Sequence, residues 1–178
     1  PWLESCSTNL KVNAGGHEGR SLQKGDRLHF GKPAIDLPDT NDMGISVLPW
    51  TVNHHLIYSE PDVIRFIRGP EWNWLSTAAQ QRFLSSTFRV SGASDRMAAT
   101  LEHEPVFIEK HSELVSAAVT FGTMQLLPSG QLIVLMADHQ TTGGYPRTGS
   151  IISVDLPKLV QLNTGEPISF AEVSVAEA

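Results

Sequence analysis

Cysteine is almost absent from this sequence. Its one cysteine, Cys6, excludes an internal disulfide bond and has no neighbouring cysteine with which to form a redox or metal-binding pair. Chains without disulfides are typical of the reducing cytoplasm. We therefore predict a cytoplasmic protein in which Cys6 is an inert thiol rather than a nucleophile.

Positive charge and long apolar segments are also scarce. Lys and Arg number 13 against 19 Asp and Glu, which gives a net charge of −6, and the basic residues form no run. Nucleic acid and anionic membranes are therefore poor partners for this chain. The longest apolar run is far shorter than the roughly 18 residues of a membrane-spanning helix. The first residues lack the basic and apolar segments of a signal peptide, and we expect none.

The residues that are present predict an all-β fold with two short helices. Apolar residues make up 40% of the 178 positions, enough for a core. Short alternating or apolar segments between turn residues favour a closed or nearly closed antiparallel β structure. One helix is predicted over residues 78–84, with Thr77 and Gln80 as a capping box, and another over residues 156–162, capped by Asp155. The predicted strands cover residues 62–68, 87–90, 97–101, 106–108, 113–119, 124–126, 132–137, 151–154 and 168–175.

A short internal similarity indicates how the chain is divided. Residues 22–30 and 162–170 share the pattern apolar-x-x-Gly-acid-x-apolar-x-aromatic, which predicts a turn followed by an alternating strand. We interpret residues 1–31 as the end of a barrel half that is mostly absent from this chain. Residues 32–61 are predicted to be a linker because of their turn-forming composition, and residues 62–178 a second β-barrel domain.

The most informative stretch follows a predicted turn at Pro128-Ser129-Gly130. Residues 132–137 form an unbroken apolar run, which predicts a strand buried on both faces. A rigid strand followed by a polar, glycine-rich loop is a common way to present a site. The alternative is a hairpin turn whose side chains satisfy only local backbone groups, and both interpretations stay open here. The loop consists of Asp138, His139, Gln140, Thr141, Thr142, Gly143, Gly144 and Tyr145.

Two other polar segments could be either structural or functional. Residues 94–97, Ser-Asp-Arg-Met, form either a structural turn with an Asp95–Arg96 pair or a place where Arg96 grips a carboxylate. His54 and His55 would point to opposite faces of a strand, so we expect no metal site there.

Several of these motifs together resemble one known family. The pattern GxxQLLPSGQxIVLMADxQTTGGYP over residues 122–146, with DLPxLxQLxxGxPIxF over residues 155–170, resembles the biotin-dependent carboxyltransferase or allophanate hydrolase subunit 2 family. Similar segments stand at residues 5–26, 69–71 and 94–97. Bacterial members include the C subunit of 5-oxoprolinase and the regulator KipA. The resemblance implies a cyclophilin-like β-barrel, preceded by the tail of a truncated N-terminal half.

The resemblance also implies amide chemistry. Bacterial 5-oxoprolinase uses ATP to open the lactam of 5-oxoproline to glutamate, and this family acts there with a KipI-like B subunit and a third subunit. ATP is therefore implied for the complex. One alternative is a carboxyltransferase that moves a carboxyl group from carboxybiotin to urea or a related amide; biotin would then come from another protein, because this chain has no biotinyl-lysine motif. Another is a KipA-like regulator that binds a kinase inhibitor.

Under this resemblance the polar residues receive roles. Asp138 and Gln140 are the candidate catalytic residues, with Asp138 as a base if desolvation raises its pKa. Arg96 would hold a substrate carboxylate, and the Gly-Gly turn would offer N–H groups to a carbonyl oxygen. Relatives usually continue Arg-Met with Gly, an aromatic residue and Arg, whereas this chain has residues 98–100, Ala-Ala-Thr. The candidate substrate-binding residues are Arg96, Gln125, Thr141, Thr142, Gly143, Gly144 and Tyr145.

Overall fold

Seven strands close into a barrel in the part of the chain that carries the candidate site. The structure, a computed structural model, describes residues 3–29, 62–108 and 114–178. The chain divides into two units, residues 1–51 and 52–178. The predicted linker at residues 32–61, with its adjacent histidines, lies outside the described residues.

The described residues of the first unit contain a small two-stranded sheet. It pairs β1 (Thr8–Asn9) with β2 (Ala14–Gly15) in antiparallel fashion. Beyond it, Arg20 donates to both carboxylate oxygens of Asp26, at 2.8 and 2.9 Å. A strand is predicted within residues 22–30, but residues 22–29 contain none. They form a turn around the Asp26 carboxylate, which accepts from the Gln23 N–H.

The barrel lies in the second unit. Its strands are β3 (Val63–Arg68), β4 (Phe88–Val90), β5 (Ala98–Glu102), β7 (Thr123–Leu126), β8 (Leu132–Leu135), β10 (Arg147–Ile151) and β11 (Pro167–Glu172). A separate antiparallel pair joins β6 (Ala117–Ala118) and β9 (Thr142–Gly143). The spatial order of the barrel is β10-β3-β11-β4-β5-β8-β7, and its neighbours are antiparallel except for β3 and β11, which are parallel. The predicted closed β-barrel is confirmed, with a parallel pair that the sequence does not predict.

Two α-helices accompany the barrel, as predicted: α1 (Thr77–Ser85) and α2 (Leu156–Gln161). The cap of α1 is Ser76 rather than Thr77, because Ser76 Oγ accepts from the Ala79 N–H at 3.2 Å. In the described part of the chain, no helix combines the length and apolar character needed to cross a lipid bilayer.

An aromatic cluster forms the core where α1 covers the barrel. Phe83 of α1 lies 5.2 Å from Trp72 and 5.6 Å from Phe170, measured between ring centroids. Phe66 and Phe88 complete the cluster, and all five side chains are almost fully buried. Large buried aromatic rings contribute strongly to core stability, so this cluster fixes α1 on the barrel.

Two bidentate ion pairs tie loops to barrel strands. Arg147 in β10 donates through Nε and Nη2 to Glu71, at 3.0 and 2.9 Å. Arg65 in β3 donates in the same way to Asp155, at 2.9 and 2.8 Å. Asp155 stands at the start of α2 but makes no side-chain capping bond, because its carboxylate is taken by Arg65. Asp155 thus stands at the predicted cap position, but the prediction that its side chain caps the helix is wrong.

The β10 strand replaces the strand predicted at residues 151–154. β10 begins at Arg147, a charged residue that the sequence analysis does not include in a strand. Its charge is neutralised by Glu71, so it can take part in the barrel. Residues 106–108 form no strand. In the described part of the predicted strand over 113–119, the ladder is limited to the two residues of β6.

Candidate functional site

The loop after β8 is fixed to the segment that precedes β5. The Met136 N–H donates to Met97 O at 2.9 Å, and the Asp138 N–H donates to Arg96 O at 2.8 Å. The strand itself ends at Leu135, so the strand predicted over residues 132–137 is two residues too long. The loop therefore starts from a defined position at the end of a core strand.

Arg96 and Asp138 form a bidentate ion pair at this position. Arg96 Nε donates to Asp138 Oδ2 at 2.6 Å, and Nη2 donates to Oδ1 at 3.0 Å. These hydrogen bonds lower the pKa of the Asp138 carboxyl. The condition on which Asp138 is predicted to act as a base, a pKa raised by desolvation, is therefore not met in the free chain. Asp95 accepts from the Met97 and Ala98 N–H groups, which confirms the turn predicted for residues 94–97. The bidentate partner of Arg96 is Asp138 rather than the predicted Asp95.

Beyond His139, the residues Gln140, Thr141 and Thr142 lead into the small sheet of β6 and β9. The Val119 N–H donates to Thr141 O at 3.1 Å, and Thr142 pairs with Ala118. Gln140, Thr141 and Thr142 are all exposed. They present one amide and two hydroxyl groups within four residues of Asp138. We call Arg96, Asp138, Gln140, Thr141 and Thr142 the polar rim.

Gln125 of β7 packs against Gly143 of the loop. Its side chain is fully buried, and a Cβ on Gly143 would lie 2.5 Å from Gln125 Nε2. Nε2 donates to Tyr145 O at 3.4 Å, while Oε1 is buried without a hydrogen-bond partner among the described residues. A buried acceptor without a donor costs about 1–3 kcal/mol. Gln125 is therefore a candidate for a role beyond packing.

A mostly apolar pocket of about 650 Å³ lies beside the end of the loop. Gly144 and Tyr145 line it, whereas no residue of the polar rim does. The structure thus places five of the predicted site residues in the rim and two at the pocket, whereas Gln125 and Gly143 belong to neither. The sequence does not predict the other lining residues, because their short apolar segments resemble barrel strands. The lining consists of Val106, Phe107, Ile108, Leu114, Leu126, Leu127, Pro128, Gly144, Tyr145 and Pro146.

The chemistry of this lining bears on where ATP could bind. The described residues that line the pocket include no Lys or Arg. Phosphate groups are usually held by cationic side chains or by the N–H groups of a helix N-terminus. The described lining thus offers a triphosphate no cationic side chain, whereas its apolar wall suits an uncharged group or an apolar side chain.

Two curated proteins are similar to this chain over nearly its whole length. The chain is 39% identical over 178 residues to the 5-oxoprolinase C subunit of Escherichia coli (strain K12), covering 100% of this chain and 54% of that protein. It is 37% identical over 176 residues to the 5-oxoprolinase C subunit of Haemophilus influenzae, covering 99% of this chain and 53% of that protein. The chain thus spans about half the length of the curated relatives that it matches.

Solved structures agree on the fold. Urea carboxylase of Kluyveromyces lactis aligns with a TM-score of 0.66 at 21% identity, over 97% of this chain and 16% of that protein. At this identity the likeness shows the fold alone. The family described as carboxyltransferase domain, subdomain A and B, matches residues 1–172. The predicted family is confirmed, and the chain belongs to this carboxyltransferase domain family.

Proposed function

We propose that this chain is a segment of the C subunit of a bacterial 5-oxoprolinase, which opens the lactam of 5-oxoproline to glutamate. The proposal is carried by the identity of 39% and 37%, over nearly the whole chain, with two proteins of that name. Because the chain covers about half of each, we assign the activity to the complete subunit. Residues 1–31, 32–61 and 62–178, as barrel remnant, linker and barrel domain, are part of the same proposal.

The polar rim supports this chemistry. The lactam of 5-oxoproline presents a carbonyl oxygen, an N–H group and a carboxylate. A guanidinium such as that of Arg96 binds a carboxylate with two parallel hydrogen bonds. The amide of Gln140 and the hydroxyls of Thr141 and Thr142 suit the carbonyl oxygen and the N–H group. Asp138 and Gln140 are our candidate catalytic residues, with Asp138 as the proton acceptor once Arg96 no longer holds it.

The loop glycines and the buried glutamine belong to the same proposed site. Gly143 and Gly144 allow the backbone to approach a ligand closely, and Tyr145 borders the pocket. Gln125 supports this part of the loop through its hydrogen bond to Tyr145 O. We propose that these four residues shape the wall against which the substrate lies.

We propose that ATP is used by the assembled complex. The relatives are named as one subunit, which implies further subunits. We propose that these are a KipI-like B subunit and a third 5-oxoprolinase subunit.

Reconstitution of the complete subunit with its partners tests the proposed function. ATP-dependent glutamate release from 5-oxoproline is measured, and we expect turnover that requires the C subunit. Arg96→Gln should lower kcat/KM by about tenfold or more, because a charge-assisted bidentate contact is lost. The matched control is Arg89→Gln, at an exposed arginine that donates to Gly165 O at 2.8 Å, and it should keep full activity. Absence of glutamate release from the complete complex would refute the proposal.

A further inference from the structure

We infer that the Asp138 carboxylate occupies, in the free chain, the place of a ligand carboxylate on Arg96. A small amide that carries a carboxylate would displace it, so that binding exchanges one Arg96 partner for another and frees Asp138. This inference rests on the proposed function, because it concerns how 5-oxoproline would be recognised.

The geometry of the pair carries the inference. The two hydrogen bonds, at 2.6 and 3.0 Å, have the parallel arrangement in which a guanidinium recognises any carboxylate. The Arg96 side chain is 79% exposed and that of Asp138 is 50% exposed. A ligand can therefore reach the guanidinium without opening the barrel.

The other bidentate pairs of the barrel unit differ from this one in their burial and backbone contacts. The Glu71 carboxylate is 8% exposed and also accepts from the Arg147 N–H at 2.9 Å. The Asp155 carboxylate is fully buried and also accepts from the Arg65 N–H at 2.8 Å. Both carboxylates are thereby committed to the fold. Within the described residues, the Asp138 carboxylate accepts no such backbone bond and depends on Arg96 alone for its hydrogen bonds.

Exchange would leave the loop in place. The backbone bond from the Asp138 N–H to Arg96 O and the neighbouring bond from the Met136 N–H to Met97 O do not involve the exchanged groups. Asp138 would lose the hydrogen bonds that lower its pKa, which makes its carboxylate a better proton acceptor. Recognition of the ligand carboxylate and release of a base would then be one event.

Equilibrium binding to the assembled complex, without ATP, tests the exchange. The two probes are 5-oxoproline and pyrrolidin-2-one, which is the same lactam without the carboxylate, and calorimetry gives each Kd. Asp138→Asn should bind 5-oxoproline about two- to fivefold more tightly, because the competing carboxylate of an exposed pair is removed. Its affinity for pyrrolidin-2-one should not change. Arg96→Gln should weaken binding of 5-oxoproline by about tenfold or more and spare pyrrolidin-2-one.

Controls separate exchange from a structural role. Arg89→Gln should bind both probes like the wild type, and Asp138→Ala gives a second measurement in case the asparagine variant folds poorly. Unchanged or weaker binding of 5-oxoproline by both Asp138 variants would overturn the inference, as would a complex that binds the two lactams equally or binds neither. If turnover persists in that case, the proposed function stands alone. Tighter binding by the Asp138 variants without any turnover in the wild type would sustain exchange and remove the proposed function.

Discussion

Among single residues, Gln125 links the barrel wall to the loop after β8 through a side-chain hydrogen bond. It stands on β7, and its carboxamide fills the space that a side chain at Gly143 would need. Its Nε2 reaches the backbone of Tyr145, whereas its Oε1 has no partner in the described part of the chain. Because Gln125 is fully buried, its carboxamide must shift within a packed interior to accept a methyl group added at Gly143.

The first prediction follows from this contact. Gly143→Ala would place its Cβ 2.5 Å from Gln125 Nε2, and we expect a loss of about 1–3 kcal/mol in the free energy of unfolding. Gly92→Ala is the matched control, because the nearest atom to its Cβ is Thr164 Cγ2 at 3.5 Å, an ordinary contact. Urea unfolding measures both. Equal unfolding midpoints for the two variants would contradict the packing described here.

His103 gives a prediction about pH. Its Nε2 accepts from the Leu132 N–H at 2.9 Å and its Nδ1 lies 2.7 Å from Glu104 O, so Nδ1 carries the proton of a neutral ring. Burial lowers the pKa of His103. A lowered pKa means that the unfolded chain takes up a proton first, so stability is complete above about pH 6.5 and falls as the pH drops below that value.

The measurement compares the wild type with His103→Leu. The free energy of unfolding is determined at about pH 7.5 and again at about pH 5.5, on either side of the ordinary histidine pKa. We expect the advantage of the wild type over the variant to shrink at the lower pH, because the unfolded chain then gains a proton that the buried His103 ring binds less readily. If the advantage has the same size at both pH values, the pKa of His103 does not differ between the folded and unfolded states, and the prediction is wrong.

Among the secondary-structure elements, helix α1 has its cap one residue before the position that the sequence predicts. The sequence predicts Thr77 as the cap, but Ser76 Oγ accepts the Ala79 N–H. Ser76→Ala should therefore cost about 1 kcal/mol of stability, whereas Thr77→Ala, at an exposed position in the first turn, should change it by less than about 0.5 kcal/mol. Chemical denaturation of the two variants decides between the caps. A larger loss for Thr77→Ala would restore the sequence-based assignment.

The strands show which information the sequence carries. β8 is predictable almost to its end, because an apolar run followed by Asp138 is a local signal. β10 is not predictable over Arg147, because the residue that neutralises it, Glu71, is 76 positions away in the sequence. The position of Gln125 beneath Gly143 is non-local in the same way. The polar rim is therefore predictable as a group, whereas its partners and the pocket require the fold.

At the scale of the whole molecule, barrel closure depends on contacts between distant parts of the chain. The parallel pair of β3 and β11 joins segments from the two ends of the barrel unit, as in the register of Ser169 with Val63. No local pattern predicts such a pair, although the number of short strands does predict a closed sheet. The two buried carboxylates, Glu71 and Asp155, reinforce this closure through their bonds to the backbone of β10 and β3.

These carboxylates predict the acid behaviour of the barrel. Burial by itself would raise the pKa of Glu71 and of Asp155, but hydrogen bonds from Arg147 and Arg65 outweigh it and lower both. Their contribution to stability is thus present above about pH 4.5 and is lost as the pH falls further. Glu71→Gln should unfold more easily than the wild type at about pH 7 and lose less stability on acidification to about pH 3. Parallel pH profiles for the two proteins would contradict this account.

We propose that Arg96 and residues 138–145 contribute to the substrate site of the complete 5-oxoprolinase C subunit. The most direct measurement is a crystal structure of the complete subunit, in its complex, with 5-oxoproline bound. We predict that the carboxylate of the ligand lies on Arg96, with its lactam against Gln140, Thr141 and Thr142. A ligand bound elsewhere, with the Arg96–Asp138 pair intact and the loop untouched, would contradict the claim.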